Sequence, residues 1–112
     1  SYLKQIQEMN FECAMVIRNG ARAELALNRL ERIRELCRCE AGYLETGDDT
    51  AGLAVSCRLT AALHLSECLM KAILLRKESR GSHYRWDYPE KKENFSKRIL
   101  SVWDDGVKTG WE

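Results

Sequence analysis

Leu3, Ile6, Met9, Cys13 and Val16 recur at spacings of three and four, which places them on one face of a helix. Asn19-Gly20 interrupts that pattern, and Asn19 can stop one helix or cap the next. The signal then repeats in Ala23, Ala26, Leu27, Leu30, Ile33 and Cys37. Arg22, Glu24, Arg29, Glu31, Arg32 and Glu35 fill the opposite face, so this segment predicts an amphipathic helix with one wet side. Gly42 and Thr46-Gly47-Asp48-Asp49 mark a loop after it.

The next segment, from about Thr50 to Lys77, has a different pattern. Its polar residues form a narrow stripe of Ser56, Thr60, His64, Glu67 and Lys71. One flank carries Leu59, Leu63, Leu69, Met70 and Ile73, and the other Ala54, Cys57, Ala61, Leu65, Cys68 and Ala72. A helix this apolar is expected to be covered on more than one side. Sister helices supply part of that cover, and the small-residue flank suits close approach of another neighbour. After Lys77, Gly81, Pro89 and many polar and aromatic residues predict an irregular stretch, with Pro89 steering Tyr88 away from helix. Asp104-Asp105-Gly106 between apolar runs then predicts a hairpin. A lone two-stranded hairpin is marginal in water, so it should pack on the helices or on something beyond this chain. The expected fold is mainly α: an antiparallel three-helix bundle over residues 1–78, with an irregular C-terminal tail and a small β-hairpin over 79–112, packed together as one domain.

Composition narrows the function classes. At 112 residues the chain is one domain's worth. A formal net charge of +1 argues against a nucleic-acid or anionic-membrane footprint, and no apolar run is long enough for direct membrane insertion. The five Cys are odd in number and lie in apolar helical patterns, which argues against a disulfide framework and for reduced core thiols in a cytoplasmic setting.

Chemistry concentrates in Glu78-Ser79-Arg80-Gly81-Ser82-His83-Tyr84-Arg85-Trp86-Asp87-Tyr88-Pro89. Arg80 and Arg85 can clamp carboxylates in bidentate fashion. His83 can transfer protons near neutral pH, and Gly81 permits a backbone conformation closed to other residues. The same groups can instead tie down a long irregular segment through ion pairs and hydrogen bonds.

The ordered set Glu78-Ser79-Arg80-Gly81-x-His83-x-Arg85-x-Asp87-Tyr88-Pro89 resembles the signature of fumarate reductase and succinate dehydrogenase flavoproteins, of which L-aspartate oxidase carries a related form. Met9 followed by Val16-Ile17-Arg18-Asn19, then Leu27, Leu30 and Leu36, and the run from Phe95 to Gly106 resemble the flanking stretches of that family. Position 86 departs from it, with Trp where acidic or small polar residues are common. The resemblance implies the C-terminal helical domain of a larger flavoprotein. The whole protein would transfer hydride between FAD and a dicarboxylate of the succinate/fumarate pair. FAD belongs to the parent in that reading. This chain shows no G-x-G-x-x-G fingerprint and by the same resemblance carries no cofactor-binding or catalytic residue. The implied role is structural support for the flavin domain. The implied partners are the FAD-binding and capping domains of the parent and an iron–sulfur or other electron-transfer subunit, which leaves room for a parent held at a membrane by partner subunits. Glu78, Ser79, Arg80, Gly81, His83, Arg85, Asp87, Tyr88 and Pro89 become candidate interdomain contacts.

Weaker signals point elsewhere. Cys57, His64 and Cys68 share nearly one helix face, which could begin a metal site, but the i, i+2 pair Cys37 and Cys39 diverges on a helix and does not complete it. No Gly-flanked nucleophile turn supports a Cys-His enzyme. Arg29, Arg32, Arg34 and Arg38 interleave with Glu24, Glu31 and Glu35, the pattern of a salt-bridged wet face. Trp103 and Trp111 read as packing residues. A free-standing helical interaction module is the alternative from another class, and a small metal-binding sensor is a third.

Overall fold

The computed structural model describes residues 2–15, 17–41, 50–93 and 96–112, with backbone alone at 39–41 and 50–56. Three helices, α1 (Tyr2–Ala14), α2 (Gly20–Ala41) and α3 (Thr50–Leu75), are followed by an irregular segment and a hairpin of β1 (Ile99–Trp103) and β2 (Val107–Trp111). The fold is mainly α with a small hairpin, as the hydrophobic periodicity predicts.

The helices alternate in direction. Arg34 of α2 pairs with Glu67 of α3, and the first residue of α2 lies beside the residues that cover the last turn of α3. Asn10 of α1 accepts a hydrogen bond at 2.9 Å from Ser66 Oγ of α3, and Arg18, just past α1, meets His83 beside Arg76, just past α3, so α1 and α3 share one direction and α2 runs against both. Ile6, Met9 and Cys13 from α1, Ala23, Ala26, Leu30 and Ile33 from α2, and Leu63, Met70 and Ile73 from α3 close the core. Ala23 and Ala26 of α2 are completely buried and permit close helix approach. Each of the fully buried Ile6, Leu30, Met70 and Ile73 contributes about 1.5–3 kcal/mol of transfer free energy.

Several expectations need correction. α1 stops at Ala14, short of the Val16 that the spacing included; Val16 itself lies outside the described residues, as do Gly42, Thr46-Gly47-Asp48-Asp49 and Phe95, and the side chains of Cys39, Ala54 and Ser56. α3 stops at Leu75, before Lys77. The thiols are not all core: Cys13 is buried and burial pushes it up from its ordinary pKa, whereas Cys57 is exposed. No disulfide joins Cys13, Cys37, Cys57 and Cys68. Glu67, of the narrow polar stripe, is buried between Arg34 at 3.3 Å and Lys71 at 3.5 Å. The two apolar flanks of α3 are covered unequally. Leu63, Met70 and Ile73 of the first are buried, but Leu69 of that flank is 37% exposed; on the second, Leu65 is 70% exposed, Cys57 and Ala61 are exposed too, and Cys68 and Ala72 are half-buried. Leu69 follows Leu65 by one turn, so the two share a bare strip.

The hairpin pairs in antiparallel register from Trp103↔Val107 to Ile99↔Trp111. Asp105 (φ +52°) and Gly106 (φ +132°) turn the corner in left-handed backbone that Asp tolerates and Gly accommodates freely. Val107 is buried, and its carbonyl accepts from Lys71 Nζ of α3 at 2.8 Å. The Trp103 ring sits 4.6 Å from that of His64, yet Trp103 is mostly solvent-exposed, because β1 forms the outer edge. Trp111 lies under the Arg76 guanidinium at 4.9 Å.

Candidate functional site

The segment 78–93 has isolated bridges and turns instead of a continuous ladder, so side chains must satisfy much of its backbone. A tight turn begins it. Arg80 N donates to His83 O at 2.8 Å and His83 N to Arg80 O at 3.0 Å, and Gly81 supplies the positive φ of +58° at the corner. The Ser79 hydroxyl lies within 3.2 Å of the carbonyls of Arg85 and Tyr88 and accepts from Arg85 N at 3.0 Å. Two loops are thereby pinned to one oxygen.

Glu78 is fully buried. Its carboxylate accepts from Arg80 Nε at 2.7 Å, Arg76 Nη1 at 2.6 Å and the backbone N–H of Lys92 at 2.7 Å. The Arg80 hydrogen bond leads the causes that hold its pKa down at about 2, against the opposing effect of burial. Arg80 also donates to Lys92 O at 2.8 Å, so Glu78 and Arg80 together clip the end of the segment to its beginning.

Arg85 is the centre of the site and is 3% exposed. Its Nη1 reaches the carbonyls of Ile73 (2.7 Å) and Leu74 (3.2 Å), acceptors that the last turn of α3 leaves open, and that of Arg76 (3.3 Å) just beyond it. Its Nε and Nη2 grip both oxygens of Asp87 at 3.1 and 2.7 Å. Asp87 Oδ2 in turn accepts from Gly20 N at 3.0 Å, at the start of α2. The Arg85 contact is the main cause holding the Asp87 carboxyl below its ordinary pKa. A cation therefore sits on the C-terminal end of one helix and an anion on the N-terminal end of its antiparallel neighbour, each where the helix dipole favours it. Tyr88 lies under the guanidinium at 4.8 Å, and Pro89 follows it out of the turn.

The connection between α1 and α2 completes the arrangement. Arg18 N donates to Tyr84 O and Trp86 N to Arg18 O, forming a short parallel bridge of 17–19 with 84–86. Arg18 Nε caps α1 through Ala14 O at 3.0 Å, and Arg18 Nη1 meets His83 Nδ1 at 2.8 Å. Asn19 Oδ1 accepts from Arg22 N at 2.8 Å, which settles its role as the N-cap of α2.

All nine of the sequence-flagged residues fall in this one region. The bidentate clamps anticipated for Arg80 and Arg85 exist, and both grip carboxylates of this chain. Sequence reasoning missed Arg18, Gly20 and Arg76. A β-carbon on Gly20 would stand 2.6 Å from Arg85 Nη2 and 3.2 Å from Asp87 Oδ2, so this position admits the clasp only without a side chain. One available signal was the alternation His83-Tyr84-Arg85-Trp86-Asp87, which is period two. His83 and Arg85 turn in, while Tyr84 and Trp86, at 42% and 61% exposure, turn out. The unusual Trp86 thus leaves the clasp untouched. His64 and Cys68 are half-buried, and the His64 ring lies against Trp103.

A family model described as the C-terminal region of fumarate reductase flavoprotein matches residues 3–111. The chain is 28% identical over 99 residues to a subunit of the CoM/CoB fumarate reductase of Methanothermobacter marburgensis, covering 86% of this chain and 17% of that protein. It is 31% identical over 101 residues to the fumarate reductase flavoprotein subunit of Helicobacter pylori, covering 89% and 14%. It is 35% identical over 97 residues to L-aspartate oxidase of Saccharolobus solfataricus, covering 87% and 16%. The chain thus spans between 14% and 17% of the length of these relatives.

Proposed function

Because the chain belongs to the family of fumarate reductase flavoprotein C-terminal domains, we propose that it serves as a structural buttress within an FAD-dependent oxidoreductase of the succinate/fumarate type. The observation that carries this reading is the bare flank of α3. Leu65, Leu69 and Ala61 lie exposed on a helix whose other sides are taken by α1, α2 and the hairpin. An apolar helix face of this kind fits a covered position in a larger protein. The relatives carry most of their length outside the matched stretch, so the FAD-binding and capping domains are the natural cover.

Arg85, Asp87, Glu78 and Arg80 fit the same role. Their bonds run to each other, to Arg76, to the Lys92 backbone and to helix ends, which fixes the shape behind the flank instead of offering groups to a substrate. In this reading FAD and the hydride-transferring residues belong to the rest of the parent, and an iron–sulfur subunit is a further candidate neighbour.

The test uses full-length protein carrying Leu65→Glu. The exposed position should leave the stability of the isolated chain within about 0.5 kcal/mol. The full-length variant should lose bound flavin and dye-linked fumarate reduction. Undiminished flavin content and activity would remove the docking role. An isolated chain that is yellow or turns over would place the active site here instead.

A further inference from the structure

The His83 ring bridges two elements of the fold. Nδ1 lies 2.8 Å from Arg18 Nη1 in the α1–α2 connection, and Nε2 lies 3.3 Å from the carbonyl of Arg76 just beyond α3. A guanidinium has donors and no acceptor. The Arg18 contact therefore requires a lone pair on Nδ1, which fixes the ring as the neutral tautomer with its proton on Nε2, aimed at the Arg76 carbonyl. The charged groups acting on the ring are Arg18 from the α1–α2 connection, Arg76 from the end of α3 and Arg85 from its own segment, and all are cations. The nearby acids are engaged elsewhere: Glu78 with Arg76 and Arg80, Asp87 with Arg85. A proton on Nδ1 would set donor against donor and add a positive charge to that group.

We propose that His83 is an acid-sensitive latch, whose protonation releases Arg18 and lets the 78–93 segment part from the α1–α2 connection. Burial first, then the three guanidiniums, hold the ring below its ordinary value of 6.5, with the Arg76 carbonyl opposing them. The sign follows. An opened segment carries a His of ordinary affinity, so it binds more protons than the closed one. The latch is fully engaged above about pH 6.5 and weakens as pH falls below it. The backbone links that open with it are Arg18 N–H to Tyr84 O at 2.9 Å and Trp86 N–H to Arg18 O at 3.0 Å.

Hydrogen–deuterium exchange by mass spectrometry on the full-length protein at pH 7.5 and 5.5, corrected for intrinsic exchange, reads both amides. In the wild type their open population should rise by up to about tenfold at pH 5.5, one unit below the ordinary His value. Peptides from the α2 core around Ala26 and Leu30 should not follow. His83→Gln keeps an acceptor for Arg18 and a donor for the Arg76 carbonyl without titrating, and its profile should be flat. A wild type whose amides open no more at pH 5.5 than at pH 7.5 overturns the latch, and so does a rise shared by the α2 core. A full wild-type-like rise in His83→Gln overturns it as well. The wild-type comparison decides the matter even where the variant fails to fold.

Discussion

Replacing Arg85 by Met removes a group that, through Asp87, joins the end of α3 to the start of α2. The side chain is 3% exposed, so its replacement also buries a comparable apolar volume and leaves little cavity. The loss is then mainly polar. Ile73 O, at 2.7 Å from Nη1, loses a charged donor in a buried place. An orphaned buried acceptor costs about 1–3 kcal/mol. Asp87 loses its bidentate partner, but its side chain is 32% exposed and can recruit water, so its share is below the roughly 3–5 kcal/mol of a fully buried broken pair. Together these give about 3 kcal/mol. In urea, with a slope of about 1–3 kcal/mol per molar, the unfolding midpoint should fall by about 1–3 M. Arg85→Lys keeps the charge but not the fork and should recover less than half of the loss. A cycle with Asp87→Ala should show coupling of about 1–3 kcal/mol, since the two residues are in direct contact. A stability within about 0.5 kcal/mol of wild type for Arg85→Met, the level of an ordinary surface change, would refute the clasp.

Two further outcomes follow from the same geometry. Gly20→Ala should gain up to about 1 kcal/mol of helix propensity, yet the 2.6 Å approach to Arg85 Nη2 should make it destabilising by about 1–2 kcal/mol, and in the Arg85→Met background urea titration should find it neutral or stabilising. Glu78, held at a pKa of about 2 against an ordinary 4.5, contributes stability that is present above pH 4.5 and lost as pH falls from there to about 2. Glu78→Gln should therefore be less stable at pH 7 and show a shallower loss across that acid range. An unchanged acid limb in thermal melts at stepped pH would assign the acid sensitivity to other groups.

The helices were legible because their periodicity is strong: Ile6, Met9 and Cys13, then Ala23, Ala26, Leu30 and Ile33, fall inside as the spacing requires. The hairpin was legible for a similarly local reason, the turn chemistry of Asp105-Gly106. The end of α1 was less so. Asn19-Gly20 marks a break but not its place: Arg18 caps the helix at the Ala14 carbonyl and is itself held by His83, 65 positions away. Gly20 read as a helix punctuator, but its requirement comes from Arg85 and Asp87, which the sequence separates from it by more than half the chain. Exposure of Leu65 was also beyond a helical pattern. Periodicity says which face is apolar, while only the packing says which apolar face this chain itself covers.

The charge density of 78–93 has a physical reason that does not involve catalysis. A segment without helix or ladder must satisfy its N–H and C=O groups residue by residue, and apolar side chains cannot do so. Here the Ser79 hydroxyl takes Arg85 N, the Glu78 carboxylate takes Lys92 N, and the Arg80 and Arg85 guanidiniums take carbonyls from Lys92 and from the end of α3. Antiparallel helices make the Arg85–Asp87 pair doubly useful, because one ion pair then faces the negative end of α3 and the positive end of α2 at once. With parallel neighbours both ends would carry the same sign, and either Arg85 or Asp87 would oppose its helix. Lysine could supply the charge at position 85 but not five donors in a fixed plane, and this site uses Nε, Nη1 and Nη2 together.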